Sequence, residues 1–396
     1  MLAETKGKLR VMLVSIVPPR NDCGVRIVMH RHLVERAPFE LHVASNADFA
    51  EGLLVHTKLE LPSPFQKIKK SRLGLALKKW ILDFENLVWP LVGCRKLEAA
   101  VREFRPDVIL TLAETGLCYI AYKVARKHRI PVAALFLDWF PIMESHYGHK
   151  WTQGILSRRF RRLYQKVDLA ICTSDGMKEV LGSHANSHVV YPMPGRHPKV
   201  AQRPAVARDK FTLLYVGRAE GSYGRALAEL AQVLRGHATI RLRIVSPVLG
   251  WPAEERIRAE SEGVYLGFKP PNEAAQEIGS ADALLVTMPF DESEKLFMQT
   301  SFTTKFLDYS AFAKPIVLWG PEYCSPVGLA RRLGGALVVT EKDAGNVEKA
   351  VAGLARSPDL QAKLAEGARS LHETVFDPDR LQGIFENEMS RIARVG

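Results

Sequence analysis

The chain has 396 residues, more than one domain usually holds, and we expect two domains of roughly 200 residues each. Hydrophobic residues make up 47% of it and charged residues 25%, which is typical of a globular protein. No apolar run reaches the roughly 18–20 residues of a membrane span, so we expect a protein that is soluble or lies at most on a membrane surface. The net charge of +12 indicates anionic partners: phosphorylated small molecules, acidic lipid head groups or nucleic acid.

The five cysteines are scattered, odd in number and without a Cys-x-x-Cys pair. A chain of this length can build its cores without crosslinks, so we expect free thiols in a reducing compartment. The first ten residues are polar and run straight into a predicted strand, and we expect no signal peptide. These features predict a cytoplasmic protein, or one that is peripheral at the inner face of a membrane.

The first half of the chain alternates between strand and helix patterns. Apolar runs rich in branched side chains predict buried parallel strands at 9–16, 39–45, 106–112, 131–137, 169–173 and 188–191. The clearest helix patterns are at 25–36 and 116–128. The first loop has one glycine, Gly24, and lacks the G-x-G-x-x-G spacing of a dinucleotide site. Such alternation predicts a parallel sheet with helices on both faces.

Residues 65–90 are basic and apolar at once, with lysines interleaved among leucines and tryptophans. A helix of this composition suits a membrane interface, with its lysines on anionic head groups and its tryptophans at the boundary. The alternative is a helical insertion whose apolar face packs on the domain and whose lysines are solvated. Nucleic-acid binding is a poor match to the stretch, and we expect no nucleic-acid partner.

The second half repeats the alternation after residues 192–210, which are rich in proline, glycine and basic residues and are the best candidate for a linker. Strands are predicted at 211–216, 241–245, 264–268, 283–287, 315–319 and 335–339. Helices are predicted at 225–234, 272–280, 345–356, 358–375 and 377–395.

Two loops of the first half carry candidate functional residues. Asp138 and Trp139 follow a predicted strand, and the carboxyl ends of parallel strands face the ligand crevice; a turn or helix-capping role for Asp138 is the alternative. His146 follows closely and is a candidate substrate contact. His146 and His149 lack the i, i+4 spacing of a zinc helix, so we expect no metal site there.

The second half contains two candidate anion sites. Gly217 and Arg218 open a glycine-containing turn between a strand and a helix, where phosphate oxygens can approach backbone N–H groups. Near residue 305, a hydroxyl-rich loop leads into a short helix on which Lys305 and Asp308 share one face. A lysine for phosphates beside a carboxylate for ribose hydroxyls suggests a nucleotide diphosphate ligand, whereas the simpler alternative is a surface ion pair.

The order of these blocks resembles the GT-B fold of the glycosyltransferases, and more specifically the retaining, nucleotide-sugar-dependent enzymes of glycosyltransferase family 4. The resemblance covers nearly the whole chain. It is carried by residues 10–15 with Pro18, Pro19 and Gly24, by Arg105-Pro-Asp-Val-Ile, by Ile171-Cys-Thr-Ser-Asp-Gly-Met177, by Tyr215-Val-Gly-Arg218 and by the segment 301–317.

The resemblance implies two Rossmann-like domains that face each other across a cleft: an acceptor-binding domain at 1–195 and a donor-binding domain at 196–376. The helix at 377–396 is expected to cross back onto the first domain. By this resemblance Arg218 and Lys305 would hold the donor diphosphate. Together with Asp138, which is a candidate from its place at a strand end, they are the predicted catalytic residues. Further donor contacts are expected at Gly217, Gly221, Arg225, Thr303, Thr304, Asp308 and Tyr309, and acceptor-side contacts at Gly24, Trp139 and His146.

Three positions depart from the family pattern. The lysine often found beyond the glycine–arginine pair is replaced by Tyr223 and Arg225, of which Arg225 still offers a cation. The usual histidine of the first half is replaced by Leu137 or Asp138, and Gly24 stands where two glycines are common.

These features predict a retaining hexosyltransferase that uses a nucleotide-diphosphate sugar as co-substrate, with no other cofactor, and an acceptor hydroxyl in polysaccharide or glycolipid synthesis. No Asp-x-Asp metal motif is evident in the predicted donor-site loops, so we expect fixed cations in place of a metal ion. One alternative is an epimerase or hydrolase with the same fold, and another is a non-catalytic basic protein that binds membranes. The sugar, the base and the acceptor depend on loops that the sequence does not constrain.

Overall fold

The computed structural model describes residues 8–22, 24–48, 55–59, 71–143, 148–195 and 209–395. The chain divides into two compact units, residues 1–191 together with 379–396, and residues 192–378. Each unit contains a parallel β-sheet with helices between its strands, which confirms the predicted α/β class with two Rossmann-like domains.

The first unit is built on a seven-stranded parallel sheet. Its strands are β1 (Arg10–Ser15), β2 (Glu40–Ser45), β3 (Val55–Lys58), β4 (Val108–Leu112), β5 (Val132–Phe136), β6 (Leu169–Cys172) and β7 (Ser187–Val189). They lie in the order β3-β2-β1-β4-β5-β6-β7, so the order reverses between β1 and β4. Every residue of β4 and β5 is buried, as expected where helices cover both faces of a parallel sheet.

The helices of the first unit include two that the sequence predicted as one amphipathic insertion. They are α1 (Gly24–His30) with a π-helical turn at Arg31–Glu35, α2 (Arg72–Ala76), α3 (Lys78–Val88), α4 (Arg95–Phe104), α5 (Leu117–His128), α6 (Lys150–Lys166) and α7 (Asp175–Leu181). Residues 65–70 of the insertion lie outside the described residues. Short 3₁₀ turns occupy Trp89–Leu91 and Phe140–Ile142.

The second unit has a five-stranded parallel sheet. Its strands are β8 (Phe211–Val216), β9 (Ile240–Val245), β10 (Ala283–Thr287), β11 (Ile316–Trp319) and β12 (Leu337–Val339). The order β12-β11-β10-β8-β9 reverses between β8 and β10, and the carboxyl ends of strands at such a point are where α/β sheets bind ligands.

The helices of the second unit follow its strands. They are α8 (Gly221–Val233), α9 (Ala253–Ser261), α10 (Pro271–Ser280), α11 (Lys295–Thr300), α12 (Thr304–Ser310), α13 (Ser325–Leu333), α14 (Ala344–Ala355) and α15 (Pro358–Thr374). A 3₁₀ turn at Glu292–Glu294 precedes α11.

The strand predicted at 264–268 is not formed. An isolated bridge joins Tyr265 to Ile244 of the edge strand β9, and Leu266 N–H donates to the carbonyl of Ile244. Gly267 then adopts a φ of +69°, which ends the extended conformation after too few residues for a strand.

The last helix, α16 (Pro378–Val395), packs on the first unit, as the resemblance implied. Its Phe385 lies 5.0 Å from the ring of His32 and 5.9 Å from the ring of Phe39, centroid to centroid. The side chain of Gln382 on α16 bonds His32 Nδ1 at 2.9 Å. The contact is buried, so the helix is part of the core of this unit.

Every helix in the described part of the chain is too short or too polar to span a lipid bilayer.

Candidate functional site

Gly217 and Lys305 meet at the carboxyl end of β8, beside the point where the strand order of the second unit reverses. Gly217 directly follows β8, and Lys305 lies in the first turn of α12, in the connection from β10 to β11. A Cβ added at Gly217 would overlap Cε of Lys305 and lie 3.0 Å from its Nζ. Gly217 also has a φ of +142°, which side chains rarely adopt. Glycine is therefore required here so that the lysine can cross the strand end.

Lys305 sits between two aromatic rings. Its Nζ lies 5.3 Å from the ring centroid of Tyr215 on β8 and 5.3 Å from that of Tyr223 on α8. Such distances allow a favourable cation–π interaction with each ring. The two rings fix the ammonium group above Gly217, and sequence reasoning did not identify Tyr215 as part of the site.

Burial lowers the pKa of Lys305 from its usual 10.5 to about 8. The carboxylate of Asp308 opposes this shift, and the positive charge of Arg218 adds to it. Lys305 lies against Gly217, the residue before Arg218, so the two cations are near enough to repel each other. An anion bound between them would relieve that repulsion and raise the pKa of Lys305 again.

Arg218 is the exposed member of the cation pair, with 80% of its side chain accessible to solvent. Its Nε and terminal nitrogen donate to Oε2 of Glu220 at 3.1 and 2.9 Å. Exposed ion pairs contribute at most about 1 kcal/mol, so an anionic ligand can compete with Glu220 for the guanidinium group. The turn therefore presents a cation that is oriented and still available.

Asp308 and Tyr309 are occupied by contacts that build the second unit. Asp308 Oδ1 accepts a hydrogen bond from the backbone N–H of Gly195 at 2.9 Å. The Tyr309 hydroxyl accepts from Val216 N–H at 2.7 Å and donates to its carbonyl at 3.2 Å. Tyr309 is buried, and this burial raises its pKa well above 10. The predicted donor contact at Tyr309 is therefore replaced by an anchor of α12 on β8.

The other predicted donor residues are spread around this centre. Thr303 and Thr304 are half-buried at the start of α12, and the Thr303 side chain makes no capping bond. Gly221 is exposed, begins α8 and has a φ of +57°. Arg225 is exposed and faces Asp291, with 3.7 Å between the guanidinium and the carboxylate. Arg225 thus points toward the loop after β10, along a pocket of about 390 Å³.

Among the predicted first-unit residues, Asp138 is the second residue after β5 and is half-buried, at the carboxyl edge of that sheet. Trp139 is 1% exposed and packs 4.9 Å from the ring of Phe160 and 4.8 Å from the guanidinium of Arg161. A side chain so deeply packed does not reach an acceptor, and its expected contact is corrected to a core role.

Two further acceptor-side residues were predicted, Gly24 and His146. Gly24 begins α1, is exposed and has a φ of +55°, with open space where a side chain would stand. His146 lies outside the described residues.

The structure reveals a pair between a buried aspartate and a half-buried histidine that the sequence did not single out. Asp83 of α3 is 2% exposed, and its Oδ2 lies 2.6 Å from Nδ1 of His149. Its Oδ1 accepts from the backbone N–H of Gly148 at 2.6 Å. The pair fastens α3 to the start of α6. An acidic residue inside an apolar helix pattern is the signal that marks such a position, because an unpaired buried carboxylate is costly.

In the described ranges, no three His, Cys, Asp or Glu side chains gather closely enough to hold a metal ion.

Comparisons with known proteins agree with this architecture. Residues 54–193 match the model of Glycosyltransferase Family 4. No curated protein matches the sequence significantly.

Several solved structures share the fold over nearly their whole length. Sucrose-phosphate synthase from Thermosynechococcus elongatus matches with a TM-score of 0.66 and 13% identity over 98% of this chain and 100% of that one. Anabaena Alr3699/HepE, solved with UDP and glucose, gives 0.64 and 14% over 96% and 99%. WaaG, a glycosyltransferase involved in lipopolysaccharide biosynthesis, gives 0.56 and 14% over 94% and 99%. The chain therefore has the GT-B fold and resembles glycosyltransferase family 4.

Proposed function

We propose that the protein transfers a sugar, of the hexose type, from a nucleotide-diphosphate sugar to an acceptor hydroxyl, with retention at the anomeric carbon. The observation that carries the proposal is the convergence of Lys305 and Arg218 beside Gly217, at the ligand-binding edge of the second sheet. The structure of Alr3699/HepE with UDP and glucose, which has the same fold, supports a donor of this class.

The chemistry follows from where negative charge develops. The bond between the anomeric carbon and the diphosphate oxygen breaks, the acceptor oxygen bonds to that carbon, and the acceptor proton passes to the released phosphate or to solvent. Lys305 and Arg218 stabilise the charge that grows on the leaving diphosphate, by several kcal/mol in sites of this kind. The lysine, fixed by Tyr215 and Tyr223, needs little reorganisation as the charge appears. In this proposal the two cations act without a metal ion.

We assign Asp138 to the acceptor side, because it follows a strand at the carboxyl edge of the first sheet. We infer that the acceptor belongs to a cell-surface polysaccharide or glycolipid and that the reaction takes place in the cytoplasm. The net charge of +12 supports an anionic setting.

A thermal-shift screen with nucleotide diphosphates and nucleotide sugars tests the donor assignment. A ligand that binds only the folded state adds about 2.7 kcal/mol of stability when its concentration is 100 times its Kd. The melting temperature therefore rises with ligand concentration. We expect a shift with at least one nucleotide diphosphate, and Lys305→Ala should abolish it while the unliganded variant stays folded. Lys295→Ala is the matched control, since Lys295 is an exposed lysine of the same unit that pairs with Glu292.

The reaction itself is tested with a labelled sugar donor. Transfer to a hydroxyl acceptor supports the proposal, whereas release of free sugar or an epimerised donor without any acceptor would identify a hydrolase or epimerase instead. Absence of a thermal shift with every nucleotide diphosphate would reject a nucleotide-sugar enzyme altogether.

A further inference from the structure

Helices α2 and α3 and the start of α6 expose a cluster of large apolar side chains in the first unit. Trp80 is 58% exposed and Trp151 is 54% exposed. The exposed residues that define this surface, which we call the α2–α3 surface, are Leu73, Leu75, Leu77, Trp80, Phe84 and Trp151. Scattered exposed apolar residues are ordinary, but Leu73, Leu77, Trp80 and Phe84 recur at the spacing of one helical face, and an exposed apolar stripe of this kind marks an interaction site.

A ring contact and a partly buried hydrogen bond join the two segments of the surface. The ring of Trp80 lies 4.3 Å from the ring of His149, two residues before Trp151. The pair of Asp83 and His149 fastens α3 to the start of α6, and a Cβ at Gly148 would overlap the carbonyl of Lys79. These contacts fix Trp80 and α3 against the start of α6, which carries Trp151, so this part of the surface is built in advance of any partner.

The exposed charges of this surface have one sign. Residues 71–92 contain two acidic side chains, Asp83 and Glu85, and both are buried. Lys78, Lys79 and Lys150 are exposed. Residues 71–92 have no exposed acidic side chain, and their exposed apolar side chains are flanked by exposed lysines. Such a surface is complementary to a partner with an anionic outer layer and an apolar interior.

We propose that the α2–α3 surface binds the face of an anionic lipid bilayer, with the tryptophans and leucines entering the head-group boundary and the lysines on the acidic head groups. Tryptophan at the interface and lysine on anionic lipid are the arrangement that amphipathic helices use on membranes. A second copy of this chain is a poorer occupant, because it presents the same positive charges to itself. The inference rests on the proposed function in one respect: docking brings the first unit to an acceptor that is itself lipid-linked.

Vesicle flotation of the full chain tests the proposal. We expect binding to vesicles of phosphatidylcholine with 30% phosphatidylglycerol and at least tenfold weaker binding to phosphatidylcholine alone. Trp80→Ser with Trp151→Ser should weaken binding to the anionic vesicles at least tenfold. Lys78→Gln with Lys79→Gln should weaken it roughly 25-fold at low salt, about fivefold for each lysine near the surface. Ile257→Ser with Leu333→Ser, on exposed apolar residues of the second unit, is the matched control and should bind as the wild type does.

The outcomes separate this inference from the donor assignment. The tryptophan variant should keep the thermal shift with nucleotide diphosphates, because its changes lie in the other unit. The proposal is overturned if wild type fails to bind anionic vesicles, or if the control pair weakens binding as much as the tryptophan pair does. It is also overturned if the wild type is a dimer that the tryptophan variant converts to a monomer, since the surface would then join two copies.

Discussion

The pKa of Lys305 makes donor binding depend on pH in a range where nucleotide phosphates do not titrate. With a pKa of about 8, the lysine is roughly 90% protonated at pH 7 and roughly 10% protonated at pH 9. A terminal phosphate has lost its second proton by pH 7, because its pKa is near 6. If the protonated lysine is the form that binds the diphosphate, affinity falls about tenfold from pH 7 to pH 9.

The sign of the effect follows from the charges. A bound diphosphate favours the protonated lysine and raises its pKa, so binding takes up a proton, most strongly between pH 8 and the raised value. Isothermal titration in two buffers of different ionisation enthalpy measures this uptake directly. We expect about half a proton to be taken up at pH 8 and close to none at pH 6.

The control is Lys305→Met, which keeps the apolar stem and removes the charge. This variant should bind the diphosphate more weakly, by at least tenfold at pH 7, and with no proton uptake at pH 8. An affinity that stays constant from pH 7 to pH 9 in wild type, or a decline centred near 10.5, would show that Lys305 does not have a lowered pKa that controls diphosphate binding.

Two further predictions concern packing and stability. Gly217→Ala should displace Lys305, since its Cβ would overlap Cε of the lysine, and nucleotide-diphosphate affinity measured by titration should fall at least tenfold; unchanged affinity would contradict the contact. His32 should make the fold sensitive to acid. Burial lowers its pKa to about 4, so between pH 6.5 and 4 the unfolded chain binds a proton that the folded chain does not, and the free energy of unfolding falls as pH drops through this window, by up to about 3 kcal/mol. Urea denaturation of His32→Gln should show a weaker decline over the same range, and an identical decline would place the effect elsewhere.

Much of the fold follows from the sequence because its strands are buried on both faces. The strands predicted at 211–216 and 283–287 have the same bounds in the structure, since an apolar run between turn residues leaves little choice of ends. The fold class is confirmed for the same reason: alternating strands and helices admit few arrangements.

The elements that the sequence missed depend on tertiary context. Strand β3 (Val55–Lys58) has little apolar content and exists because it pairs with β2 at the edge of the sheet. Helix α9 (Ala253–Ser261) is almost entirely polar and exposed, with Ala259 as its buried residue, so it shows no apolar stripe. Hydrophobic periodicity in a sequence reports side chains that are buried, and these two segments bury few side chains.

In the candidate site, too, the sequence identified some residues, whereas the roles of others became visible only in the structure. Sequence spacing identified Lys305 and the Gly217–Arg218 turn, and the structure brings them together. The roles of Asp308 and Tyr309 required coordinates, because their partners, Gly195 and Val216, are 113 and 93 residues away. Long-range hydrogen bonds leave no trace in local spacing.

A crystal structure of the protein with a bound nucleotide diphosphate tests the central claim most directly. We expect diphosphate oxygens within hydrogen-bond distance, about 2.7–3.2 Å, of both Lys305 Nζ and the Arg218 guanidinium, with Glu220 displaced from the arginine. A diphosphate that touches neither cation, or that touches one while the other stays turned away, would contradict it.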